Sequence, residues 1–549
     1  MPLPSSSLPT VFTLNELQAF RLQMDNYSAP DPQALPQVKL LRLPRLFGDG
    51  MVLQRDARIT VWGWAAPGST VKVVLNGHKA TATASEDGKW EAWLPKMKAG
   101  GPYELTVGNL TIHDVLIGDV FLCSGQSNME LPIRRCLDSV ATLVQDYTNP
   151  RIRYLKIPHQ FNYLRLNDDM KVRPWQDITS QNCGEVSALC YFMARELQER
   201  YDVPIGIINS AVGGTQVQAW MPRETLETFD DYADEFLQPR HRQTNWVDSV
   251  GRAEQLADAE WDRRTNECDS ILYRWNRVGY DFASWQRVWM FDDWSHGHHG
   301  SYWFRTTANV PKDLAGQLAR LRFGAMKDAD SIFINGHFVG NTTYEYPPRI
   351  YDVPAGLLRA GENDIVVHLL SQNGQPHFTP GKRYQLEVGE HVISLSDTLQ
   401  MAVGCTRPER PRSTYFADCP SALYNAMIAP LRQFPVRGIV WYQGESNIAA
   451  PNRYADHLTA LAVSWREQFG RQAPFVVVQL PSYMEPAKAL ETGWTRIQHE
   501  QYLASRRIPK SALVTIKDTG EANDIHPQDK HIVGHRVAVQ MSRLAYGAR

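Results

Sequence analysis

The sequence lacks any run of about 18 apolar residues, so no membrane-spanning helix is expected. It also lacks an excess of charge. The 549 residues carry a formal net charge of −2 and no Lys/Arg run stands out, which argues against nucleic acid as a partner. The start, Met1-Pro2-Leu3-Pro4, has no charged segment followed by an apolar one, so no signal peptide is visible. Cysteines number seven, an odd count, at 123, 136, 183, 190, 268, 405 and 419. No C-x-x-C pair occurs, which excludes a zinc ribbon and a dithiol redox site but leaves an isolated disulfide open. The His296, His298 and His299 loop has no acidic or Cys partner at ligand spacing, so no metal and no cofactor are expected. G-x-S-x-G is missing too, which removes the usual α/β-hydrolase elbow.

Against these absences stands the composition of an ordinary soluble protein, 43% hydrophobic and 21% charged. Its 16 Trp and 22 Tyr suit the apolar faces of sugars, although most aromatics build core. A chain this long divides into several domains. Residues 1–44 read as an arm or linker. Residues 45–112 hold short β-rich runs and the hairpin turn Asn76-Gly77, consistent with a small β-sandwich. From 113 the texture becomes strand then helix, with strand candidates Val115–Cys123, Ile205–Asn209, Gly438–Tyr442, Phe475–Leu480 and Leu513–Ile516. Helical stretches separate them: Ser187–Arg200, Ser421–Gln433, Tyr454–Phe469, Trp494–Arg506 and Ile532–Leu544. That alternation predicts an α/β domain with a parallel sheet, in two parts, 113–275 and 397–549. Residues 276–396 return to β texture and read as an inserted all-β domain.

Four segments fall at the carboxyl ends of the predicted strands, where such sheets keep their chemistry. Gly125-Gln126-Ser127-Asn128-Met129 puts a Ser on a strand-to-helix turn, although an N-cap serine is the commoner explanation. Asn209-Ser210-Ala211-Val212-Gly213-Gly214-Thr215 offers paired glycines whose N–H groups can approach a ligand. Gln443-Gly444-Glu445-Ser446-Asn447 adds amide donors and a carboxylate. Asp524-Ile525-His526-Pro527 supplies a His with an Asp two residues away. Each alone reads as an ordinary loop. Together they contain the nucleophile, oxyanion donors and base of acyl transfer through a tetrahedral intermediate.

These blocks resemble those of the SGNH hydrolase superfamily, and more closely its sialate O-acetylesterase and carbohydrate acetylesterase branch. The resemblance implies an SGNH-type three-layer α/β sandwich. It implies Ser127 as nucleophile, His526 as base, and an oxyanion hole from the Ser127 N–H, a glycine N–H (Gly214 or Gly213) and the Gln443 side chain. Asn447 is an alternative donor, and Gln126 and Glu445 are supporting residues. The superfamily has Asp three residues before the histidine, where this chain has Asn523. The orienting group is then Asp524, Glu445 or a backbone carbonyl. Residues 276–396 are similar to the jelly-roll sugar-binding domain of β-galactosidases and β-glucuronidases. The expected function is a carbohydrate O-acetylesterase acting on acetylated plant-type poly- or oligosaccharide, in the periplasm or secreted. A sialate or other short-chain acyl esterase and a non-catalytic carbohydrate-binding protein are the alternatives. A glycoside hydrolase would need a second carboxylate paired with Glu445. Oligomeric state is left open.

Overall fold

The computed structural model describes residues 41–549 except 239, 240, 242, 432, 471 and 549. The expected arm, 1–44, lies almost wholly outside the described residues. The chain divides into two compact units. Of the described residues, one contains those up to Thr244, Tyr415–Gly520 and those from Pro527 on, and the other Asn245–Thr414 with Glu521–His526.

The first unit is mixed α/β. Its sheet is built on six parallel strands: β1 (Leu110–Gly125), β2 (Asn149–Lys156), β3 (Ile205–Ala211), β4 (Gly438–Tyr442), β5 (Phe475–Val478) and β6 (Ser511–Val514). Their order is β6-β5-β4-β1-β3-β2, with Gln176–Ile178 antiparallel beyond β2. β4 and β5 are buried along their whole length, as strands covered on both faces must be. The longest helices of this unit among the described residues are α1 (Ala188–Tyr201), α2 (Tyr454–Phe469), α3 (Trp494–Arg507) and α4 (Lys530–Tyr546). Gly534 lets α4 lie close on α1, since a Cβ there would come within 2.6 Å of Phe192 Cβ.

β1 is longer than the sequence suggests. Its first half pairs with strand Gly100–Val107 of an antiparallel N-terminal sheet, and its second half with β3 and β4. The expected boundary at 112/113 therefore runs through one continuous strand. Asp119 sits fully buried where the two halves meet. It accepts from Arg55 Nε and Nη2 at 2.9 Å each, from Gln54 Nε2 at 3.2 Å and from the Tyr546 hydroxyl at 2.7 Å. The segment expected as helix 421–433 is helical from 422 to 431 but irregular, passing through a π-helical turn, Tyr424–Ile428, into a 3-10 turn, Ala429–Leu431, where it ends. Pro430 lacks the N–H and the space that a helix interior needs.

The second unit has an antiparallel six-stranded sheet and an antiparallel four-stranded sheet. Its core includes Phe304, Leu321, Phe323, Ile332, Val367 and Leu386. The unit extends beyond 276–396 at both ends for two reasons. Strand Thr398–Arg407 pairs with His299–Val310 inside the larger sheet, and a Cys268–Cys405 disulfide ties helix Trp246–Asp269 to that strand.

Replacing Asp119 with Ala would leave the Arg55 guanidinium facing a buried void. A loss of about 3–5 kcal/mol is expected in urea unfolding, and an unchanged midpoint would contradict the assigned role.

Candidate active site

At the carboxyl edge of the sheet, Gly125 of β1 stands level with Ala211 of β3 and Tyr442 of β4. Three of the four sequence blocks thus begin side by side. The turn after β1 depends on glycine: Gly125 has φ +141°, and a Cβ there would lie 2.0 Å from the Tyr442 carbonyl oxygen. The Gln126 N–H donates to that same oxygen at 3.0 Å. Ser127 follows, half-buried, at the start of the short helix Ser127–Glu130. Gly213 packs directly on it, and a Cβ at Gly213 would be 3.2 Å from Ser127 Cβ. Gly214 beside it is exposed with φ +75°.

The third block is tied to the first two by buried polar side chains. Gln126 Oε1 accepts from the N–H of Gly444 at 3.2 Å and of Ser446 at 3.3 Å. Asn128 Nδ2 donates to Glu445 Oε1 at 2.6 Å. Asn447 Oδ1 accepts from the Val217 N–H at 3.0 Å, and its Nδ2 donates to Gln218 Oε1 at 3.0 Å. Gln443 departs from the expectation of an oxyanion donor. Its Nε2 donates to the Thr215 carbonyl at 3.0 Å and to Asn447 Oδ1 at 2.8 Å, so both amide hydrogens are spent on holding the blocks together. Its Oε1 accepts from the Tyr454 hydroxyl at 2.8 Å.

Two residues given no role in the sequence complete this frame. Asn128 Oδ1 accepts from Lys530 Nζ at 2.8 Å. The same ammonium donates to the carbonyl of Pro527, the residue after His526, at 2.6 Å. Lys530 is fully buried in the first turn of α4, where a helix disfavours positive charge. Next to Ser127, Glu130 meets Lys156 Nζ at 2.7 Å and His159 Nε2 at 2.6 Å. Burial works to raise its carboxyl, but the two partners overcome it and hold the group at about 2.

The fourth block belongs to the second unit as far as His526, and Pro527 to the first. Asp524 Oδ1 accepts from the His526 backbone N–H at 2.8 Å, and Oδ2 from Lys382 Nζ at 3.0 Å. Lys382 also reaches Glu521 at 3.1 Å, and Asn523 Nδ2 donates to the Pro380 carbonyl at 2.7 Å. Burial raises the Asp524 carboxyl and Lys382 opposes the rise. The Tyr346 ring meets the His526 imidazole edge-on, with centroids 5.2 Å apart. Lys382 and Tyr346 carry no motif and could not be found from sequence.

Burial lifts the Glu445 carboxyl to about 7, against the Asn128 hydrogen bond that pulls it down. The native state therefore retains a proton that the unfolded chain loses at its ordinary value, 4.5. Stability should fall as pH rises from about 4.5 to about 7 and level off above. Glu445→Gln should flatten that fall, as read by urea unfolding across the range. An equally steep fall in the variant would remove Glu445 as its cause.

The family described as "Carbohydrate esterase, sialic acid-specific acetylesterase" matches residues 117–243 and 376–543. The sialate O-acetylesterase of Pongo abelii is 32% identical over 547 residues, covering 92% of this chain and 72% of its own. A β-glucuronidase of Formosa agariphila is 28% identical over 118 residues, 18% of this chain and 12% of its own. A solved carbohydrate acetylesterase from Xanthomonas citri shares the fold, with TM-score 0.56 at 24% identity over 93% of this chain and 76% of that one. The extent of the first match and the identity of the second place the chain: it belongs to the sialic acid-specific acetylesterase family of carbohydrate esterases.

Proposed function

We propose that this protein is a carbohydrate O-acetylesterase that uses Ser127 as nucleophile and His526 as general base. The observation that carries the reading is the frame around Ser127. Gly213 lies against it, and Lys530 joins its neighbour Asn128 to the carbonyl next to His526. His526 takes the Ser127 hydroxyl proton as Oγ adds to the acetyl carbon. The oxyanion forms beside the N–H groups of Ser127 and of Gly214 or Gly213, where fixed donors stabilise it. As the C–O bond to the sugar breaks, the imidazolium returns the proton to the departing hydroxyl. Water, deprotonated by His526, then attacks the acetyl-serine and releases acetate. No metal or cofactor enters these steps.

Asp524 orders the His526 loop through the backbone N–H it holds. Gln443, Asn447, Gln126 and Glu445 act as the scaffold that sets the three blocks in register. The parallel sheet with its helices is read as the SGNH three-layer sandwich, and the inserted β domain as a jelly roll. Acetylated plant-type oligosaccharide is the favoured substrate, processed in the periplasm or outside the cell. A sialate O-acetylesterase is the second reading, favoured by the likeness to the Pongo abelii enzyme.

Acetate release from an aryl acetate, acetylated xylo-oligosaccharides and 9-O-acetylated sialic acid tests both. Ser127→Ala should lose about 10³-fold or more while remaining folded. Equal activity in variant and wild type would remove Ser127 as nucleophile. A wild-type protein that binds glycan without releasing acetate would favour a non-catalytic carbohydrate-binding role.

A further inference from the structure

Within the second unit, the segment 343–348 connects strands His337–Thr342 and Ile350–Val353 without regular structure of its own. Beneath it lies Arg349, fully buried. Its Nη1 donates to the carbonyls of Glu345 at 2.9 Å and Pro347 at 2.7 Å, and its Nη2 to that of Asp328 at 2.5 Å. Its Nε donates to Asp330 Oδ1 at 2.7 Å, and the Tyr351 hydroxyl takes the other Asp330 oxygen at 2.8 Å. Burying an ion pair is costly unless every bond is made. Here each guanidinium nitrogen has a partner, and the result is a short loop with a fixed backbone, stiffened further by Pro347 and Pro348.

What this rigid loop displays is aromatic. Tyr344 is 47% exposed and Tyr346 40%. Their rings stand 6.3 Å apart at 75° and form a corner, and Tyr346 is the ring that touches His526. A half-exposed tyrosine pair held by a buried arginine does little for a core. It does match a pyranose, whose C–H face stacks on a ring while its hydroxyls bond at the phenolic rim. Fixing the loop in advance removes the ordering cost that a flexible one would meet on binding.

Charge narrows the class of sugar. The ammonium groups near the corner are committed, Lys327 to Glu345 at 3.0 Å and Lys382 to Glu521 and Asp524. Carboxylates outnumber cations in this set, so the surroundings disfavour a sugar acid.

We propose that Tyr344 and Tyr346 form a stacking subsite beside His526 for an uncharged pyranose ring of the acetylated substrate. The assignment rests on the esterase reading only in naming His526 as the catalytic base. Binding to the full chain carrying Ser127→Ala tests it without turnover, using acetylated xylo-oligosaccharides as probe. Adding Tyr344→Ala with Tyr346→Ala should weaken binding roughly tenfold or more, whereas the Tyr344→Phe, Tyr346→Phe pair should stay within about threefold. Undetectable binding to the Ser127→Ala protein, or equal binding after the alanine changes, would overturn the subsite. Tighter binding of 9-O-acetylated sialic acid than of the xylo-oligosaccharide would overturn its neutral character. Acetate release by the wild type is judged separately, so a failed esterase reading and a failed subsite give different results.

Discussion

The contact between Gly125 and the Tyr442 carbonyl is the constraint on which the rest of the site depends. Two neighbouring parallel strands end so close together that a Cβ at Gly125 would lie 2.0 Å from that oxygen. Glycine satisfies both demands of the position, the positive φ and the missing side chain. With that approach made, the Gln126 N–H bonds the same carbonyl and Ser127 emerges at the sheet edge. The paired strand ends then bring in Gly213 from β3 and the Gln443–Asn447 block from β4.

Polar side chains do the next part of the work. In a buried setting an amide with all its bonds made fixes its neighbours, whereas one left open carries a desolvation penalty. Gln126, Asn128, Gln443 and Asn447 each bridge two blocks or orient one, and Lys530 extends the network to the chain beside His526. The amide-rich character of the blocks therefore has a structural cause as well as a chemical one. Gln443 shows the difference most clearly, since its hydrogens are used within the frame.

Much of this was legible in the sequence, and the limits have physical reasons. β4 and helix α2 coincide with the expected segments because an unbroken apolar run and a helical period both mark themselves. β2 shows no apolar run in the sequence because Arg151 and Arg153 interrupt it. Arg153 nevertheless lies buried against Asp114 at 2.6 Å. The second unit runs past 396 because strand Thr398–Arg407 returns to a distant partner, and locally such a strand looks like any other. The four blocks could be read from their residue types and order. Lys382, Tyr346 and Lys530 could not, since each acts through a contact between segments far apart in the chain.

The second unit shapes the surroundings of His526. It holds the His526 loop through Lys382 and Pro380 and lays a tyrosine on the imidazole. The proposed chemistry turns on covalent catalysis at Ser127. Rapid quenching of the wild-type protein with an aryl acetate, followed by peptide mass spectrometry, tests it most directly. One acetyl group is expected on the peptide carrying Ser127, bound as an ester to that side chain. Acetate release with no acetylated serine, or with the acetyl group on another residue, would contradict it.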